Sequence, residues 1–352
     1  MVKQRRRLAI IAVALSLSVV AAACSNDEDG GGGGATGGAT GGATGGATGG
    51  AVTGSLNISG SSTVEPITSL VAEKFQSQNP DVTIAVDAPG TSDGFELFCN
   101  GETDINDASR QIDEEEVAAC EASGIAPIEL EIGQDAITVI GNPANPVACL
   151  AFGDLYALFG PESEGFANWT DADALASKLG GYDSFPDLPL TIVAPGTESG
   201  TFDAFIDLGG LADTAEERGL AEDVIETLRL DYQISADDNV IIDNAVGTEG
   251  GLGFVGFAYA QNAGESIKEF EVDGGEGCVA PSAETVADGT YPLSRSLYIY
   301  INPNKVAENA ALASFVDFYL SDEGLASVVE VEYVSLPDER IEATRAAWGS
   351  AM

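Results

Sequence analysis

The run over residues 53–58, with Leu56 and Ile58 apolar about Asn57, reads as a strand, and a helical period then begins. Val64, Ile67, Val71 and Phe75 follow at spacings of three and four, as on the buried face of a helix. Pro66 falls in the first turn of that helix, where a missing N–H costs little. The same succession occurs twice more. Residues 82–87 alternate, "APGTSDGF" follows, and a second helix begins near Gly90, Thr91 and Ser92. In "VAPGTESGTFDAF" the apolar run Ile192, Val193, Ala194 meets Pro195 and Gly196, and Phe202 and Phe205 then stand three apart. "DAITVIGN" and "SLYIYIN" are rich in β-branched or aromatic residues and read as two further strands.

A strand, a Gly/Ser/Thr turn and a helix start can cap the helix, present a nucleophile or cradle an oxyanion. The first N–H groups of a helix have no internal partner, and the peptide dipoles point their positive end outward. Glycine admits close approach of the backbone, and hydroxyls add donors. Ser or Thr at a helix start is ordinary, so one such turn says little; three in one chain point to an oxyanion held without many cations. The nucleophile elbow needs G-x-S-x-G, whereas Gly196-Thr197-Glu198-Ser199-Gly200 has another spacing. The P-loop pattern G-x-x-x-x-G-K-[ST] does not occur.

Composition narrows the choice further. The 352 residues include no histidine, which removes Ser-His-Asp and Cys-His catalysis and the commonest zinc sites. Lys3, Arg5, Arg6 and Arg7 precede an apolar run over residues 8–20, and Ala21-Ala22-Ala23-Cys24 follows: a signal segment over 1–23. Cys24 after small residues resembles a bacterial lipobox, in which that cysteine is acylated, although Ala21 stands where Leu is usual. A plain secretory signal with an incidental cysteine is the other reading. The Ala/Thr/Gly repeat within residues 24–53 cannot bury apolar surface and should act as a flexible tether of about 30 Å. With 14 basic residues against 57 acidic and a net charge of −43, the surface is a poor partner for nucleic acid. Cys99, Cys120, Cys149 and Cys278 remain after Cys24; outside the cytoplasm they suggest two disulfides, with three connectivities open. No CxxC pair occurs, so neither a metal nor another cofactor is expected.

"GSSTVEP", "GETDINDASRQI", "APGTESGTFDAF", "GTEGGLGFVGFAYA" and "VAPSAETVADGTYPLSRSLYIYIN" occur in this order, and "VSLPDERIEATRAAW" closes the chain. Together they resemble the phosphate-binding proteins of bacterial Pst ABC transporters over residues 55–349. The resemblance implies an α/β, two-lobed type II periplasmic-binding-protein fold with two crossing strands and a ligand cleft. One lobe would comprise 54–139 plus 293–352 and the other 140–292, with "DAITVIGN" and "SLYIYIN" as the crossings. It implies disulfides within lobes, Cys99–Cys120 and Cys149–Cys278, which leave a hinge free.

Carried over by position, the phosphate contacts are Thr63 and the N–H of Val64, Thr91 with Ser92 beside it, and Ser199, Gly200 and Thr201. Two positions depart from the family. Pro195 stands where well-known members have Arg, and Arg110 follows Ala108-Ser109 where they have Asp. Arg110 is therefore expected to reach the phosphate from the other lobe as a relocated guanidinium, the alternative being a surface pair with Asp107 or Glu114. The missing Asp would accept the ligand's proton and so help to reject sulfate. Asp238 in "SADDNVI", beside Asp237, is the chosen replacement; Asp107 and Asp93 compete with it.

The implied function is extracytoplasmic capture of inorganic phosphate by a lipid-anchored monomer at the outer face of the cytoplasmic membrane. Delivery is to the permease subunits of an ABC transporter, without enzymatic activity. A binding protein for sulfate, molybdate or arsenate, or a phosphate sensor, is the alternative.

Overall fold

A computed structural model describes residues 52–182, 184–197 and 199–352. The signal segment, Cys24 and residues 24–51 of the tether lie outside the described residues, as does Glu198 in the third turn. Strand β1 (Gly54–Gly60) lies between β2 (Val82–Asp87) and β3 (Ile105–Ala108), parallel to both. Helix α1 (Glu65–Gln78) joins β1 to β2. It starts where the apolar stripe begins, and Val64, Ile67, Val71 and Phe75 are all buried. Helix α2 (Thr91–Cys99) joins β2 to β3, and α3 (Glu114–Ala122) follows, opened by a capping box between Asp113 and Glu116.

Strand β4 (Ile128–Gly141) begins ahead of the apolar run that predicts it. Its first half alternates Ile128, Leu130 and Ile132 with Glu129 and Glu131, a half-covered strand that an apolar run alone does not reveal. The second half is buried throughout.

Beyond β4 come β5 (Cys149–Ala151), α4 (Phe152–Phe159), α5 (Asp173–Lys178), β6 (Thr191–Ala194), α6 (Gly200–Leu208), α7 (Leu211–Glu217) and α8 (Glu222–Ile225). Next are β7 (Gln233–Ile234), α9 (Asp238–Val246), β8 (Gly251–Gly256) and α10 (Phe257–Ala263). The short strands β9 (Lys268–Glu269), β10 (Glu271–Asp273) and β11 (Cys278–Val279) precede α11 (Ala283–Ala287). The chain then returns through β12 (Ser294–Ile301) to α12 (Pro303–Glu308), α13 (Ala310–Tyr319), α14 (Asp322–Glu330) and α15 (Asp338–Ala351).

The main sheet runs β2-β1-β3-β12-β4-β8-β6-β7. β4 pairs with β12 up to Ala136 and with β8 from Ile137 onward, so one strand belongs to both halves. Each half has its own core. Phe75 and Phe315 meet edge to face at 5.4 Å in the first. Phe205 stacks on Phe254 at 3.9 Å in the second, with Phe159 edge-on to Phe205 at 5.0 Å. The fold is thus α/β and two-lobed, with the chain passing between lobes in β4 and again just before β12. A third segment runs beside β4: Val334, between α14 and α15, exchanges two backbone hydrogen bonds of 2.9 Å with Gln134.

Disulfides join Cys99 to Cys120, between α2 and α3, and Cys149 to Cys278, between β5 and β11. Each stays within one lobe. None of the helices among the described residues is long and apolar enough to cross a membrane.

Candidate functional site

The parallel strands of both lobes end at the cleft, as ligand sites in α/β sheets do. After β1 the chain turns through Ser61, Ser62 and Thr63; after β2 through Pro89, Gly90 and Thr91; after β3 at Ser109. Across a space of about 610 Å³ these turns face Thr197, Phe202 and Asp203, from the turn after β6 and the first part of α6. Three helix N-termini, those of α1, α2 and α6, are therefore set around one cleft.

Glycine makes the first-lobe turns fit. Gly60 has φ 141°, and a Cβ there would stand 2.0 Å from the Asp107 carbonyl oxygen, so only glycine lets the end of β1 lie so near β3. The Ser61 N–H donates to that carbonyl at 2.8 Å, and the Gly90 N–H donates to the Gly60 carbonyl at 2.9 Å. Thr91 Oγ1 accepts from the Ser109 N–H at 3.3 Å. The three turns are thus tied to one another before any ligand is considered.

The central cation is Arg295, which the sequence reading did not single out. It stands opposite Asp135 in the β12–β4 register. Its Nε donates to Asp135 Oδ2 at 3.3 Å, Nη1 to Asp207 Oδ2 at 2.6 Å and Nη2 to Thr63 Oγ1 at 3.1 Å. Asp135 is buried, and burial pushes its carboxyl up against the opposing pull of Arg295. A lone Arg opening an otherwise apolar strand was the available signal, in a chain with so few cations.

Arg110 lies farther out. It lines an adjoining recess of about 480 Å³ together with Thr91, Ser92, Asp93 and Arg295. Both Glu116 oxygens accept from its guanidinium, at 2.8 and 2.7 Å, and Ser92 Oγ accepts at 2.9 Å. Its ion-pair partner is therefore Glu116, with Asp113 at 3.8 Å, and neither Asp107 nor Glu114. Among the described residues Arg110 and Arg295 are the two cations that line the cleft and its recess.

The other expected residues divide. Thr63 and Thr91 line the cleft, and Ser92 the recess. Val64 is buried in the first-lobe core, and its N–H donates to the Ser61 carbonyl at 3.2 Å. Ser199 caps α6 by accepting from the Thr201 N–H at 3.2 Å. Ser199, Gly200 and Thr201 fall between the cleft-lining Thr197 and Phe202 along the chain but are not themselves among the residues lining the cleft. Asp238 opens α9 and is not among the residues lining the cleft. Burial, and then Glu332, push its carboxyl up to about 6, while the Gly256 N–H pulls the other way. Asp107 is buried beneath the first turn and accepts from Thr68 Oγ1 at 3.0 Å; burial pushes it well above the usual carboxylate range. Carboxylates of Asp203, Asp207 and Glu226 complete the second-lobe wall.

Residues 45–323 match the family model of the PBP superfamily domain. Protein SphX of Synechococcus elongatus is 40% identical over 281 residues, covering 79% of this chain and 76% of that protein. The phosphate-binding protein PstS of Staphylococcus saprophyticus is 32% identical over 280 residues, covering 79% of each chain. A crystal structure of a possible phosphate binding protein from Planctomyces limnophilus superposes with a TM-score of 0.75 at 32% identity, covering 86% of this chain and 99% of that one. With glycine-tied turns, helix N-termini and a guanidinium gathered at the strand ends of two lobes, the chain belongs to the PBP superfamily and, within it, to the PstS-type phosphate-binding proteins.

Proposed function

We propose that this protein binds inorganic phosphate in the cleft and passes it, chemically unchanged, to the membrane subunits of an ABC transporter. The observation that carries the reading is the meeting of three helix N-termini with Arg295, whose guanidinium already reaches Thr63 Oγ1. Aligned N–H groups, hydroxyls and a guanidinium suit a tetrahedral oxyanion. Thr63, Thr91 and Ser92 would supply hydroxyl donors; Val64, Ser199, Gly200 and Thr201 would add backbone or hydroxyl donors as the lobes close. Arg295 takes the principal counter-charge, and Arg110 acts from the rim. The lobes, 54–139 with 293–352 and 140–292, would hinge where the chain crosses beside Ala136 and Leu293. The signal segment 1–23 would direct export and be removed, and an acylated Cys24 with the linker 24–53 would tether the monomer outside the cytoplasmic membrane.

Calorimetric titration of the chain from Ser55 onward, with phosphate and with sulfate, tests this. Arg295→Ala should weaken phosphate binding by about 100-fold or more, since it leaves buried groups without their charged partner. Arg110→Ala should cost less than about tenfold, as expected of a half-exposed ion pair at the rim. Equal binding of sulfate would move the reading to another oxyanion, and unchanged binding by Arg295→Ala would remove Arg295 from the site.

A further inference from the structure

We infer that Tyr333 is a ligand-contacting residue of this cleft, its phenol donating a hydrogen bond to an oxygen of the bound phosphate. The inference rests on the phosphate reading above and adds a contact from the segment between α14 and α15. Val334 bridges Gln134 antiparallel, which sets Tyr333 opposite Asp135. On the other side of Asp135, β12 sets Arg295 opposite it. Directly opposed residues of antiparallel strands share a face, so Arg295, Asp135 and Tyr333 form one row across the hinge. Arg295 in that row lines the cleft and touches Thr63, which identifies the face as the cleft floor.

The second lobe meets the same hydroxyl. Tyr333 Oη lies 4.0 Å from the place a Cβ would take on Gly200, at the N-terminus of α6. Tyr333 lines a neighbouring recess beside α10 and not the cleft as it stands. Its phenol, close to Asp135 and to the start of α6, would meet the ligand as the lobes close. It has no hydrogen-bond partner among the described residues, and burial with Asp135 nearby pushes its proton loss far above neutral pH, so it remains a donor. The backbone is shaped to aim it. Glu332 is the one non-glycine residue with positive φ among the described residues, at 70°, and such outliers persist where the surroundings hold them. The Tyr333 N–H donates to the Val328 carbonyl at 3.0 Å, and Val334 is fixed on β4, so both neighbours of the side chain's backbone are anchored.

Phosphate titration of wild type, Tyr333→Phe and Thr63→Val tests the inference, with Tm recorded for each. Tyr333→Phe should raise Kd about tenfold with Tm unchanged, the effect of one lost hydrogen bond to a charged group. An unchanged Kd in Tyr333→Phe, beside weakened binding in Thr63→Val, would overturn the inference and leave the phosphate reading standing. Absence of phosphate binding by wild type would overturn both. A phosphate-bound crystal structure of wild type gives a test independent of any variant: Tyr333 Oη farther than about 3.5 Å from every phosphate oxygen would refute the contact.

Discussion

Arg295 and Asp135 face each other across β12 and β4, although 160 residues separate them along the chain. A strand's periodicity predicts which face a residue occupies, but the partner across the sheet depends on topology, and for that reason Arg295 read only as the polar start of an apolar strand. Thr63 and Thr91, by contrast, were legible because a helix start announces itself locally. Asp238 shows the opposite limit. An acidic residue at a helix N-terminus looks like a site from sequence, and here it opens α9 and is not among the residues that line the cleft. Its carboxyl, at about 6, sits above the ordinary carboxylate value, with burial as the main cause and Glu332 next. The folded state therefore prefers the protonated form. That contribution is complete below the unfolded value near 4 and is lost as pH rises through about 6. Asp238→Asn should melt above wild type at pH 7.5, with the gap closing toward pH 4. A gap that is the same at both pH values would refute the assignment.

Among the elements, the helices came through the sequence best. α1 and α6 lie where the three- and four-residue spacings put them, because a stripe with that period can be buried only on a helix. β4 was half legible: its buried end is a continuous apolar run, whereas its beginning alternates glutamate with isoleucine and leucine. The segment at Val334 was not legible at all, since a single bridge imposes no period. The turn between β2 and α2 depends on a glycine that no turn rule requires. Gly94 lies inside α2, where a Cβ would approach Asn106 Oδ1 to 2.1 Å and the Gly60 Cα to 2.5 Å. Backbone cannot yield as a flexible side chain does, so Gly94→Ala should destabilise the protein by about 2 kcal/mol in urea unfolding, a typical overpacking cost. Because α2 must move, phosphate binding should weaken as well. Retained stability would mean that α2 can tilt away freely.

For the whole molecule, two lobes and a cleft were implied by an ordered set of motifs more than by any periodicity. The placement of charge needed the structure. Asp203, Asp207 and Glu226 border the same cleft as Arg295, on a chain whose net charge is −43. An anion approaching from a distance meets the carboxylates' field first and the guanidinium only at close range. Salt shortens the reach of that repulsion to about 8 Å at physiological ionic strength, while the contacts inside the cleft are screened much less. Encounter kinetics should therefore run opposite to electrostatic steering: the bimolecular rate of phosphate capture rises with added sodium chloride, where an attractive funnel would make it fall. Stopped-flow traces at several ionic strengths would show the slope. A falling rate would place the acidic surface out of the ligand's path, whereas a rising one would make this a receptor that collects its anion faster in brine than in fresh water.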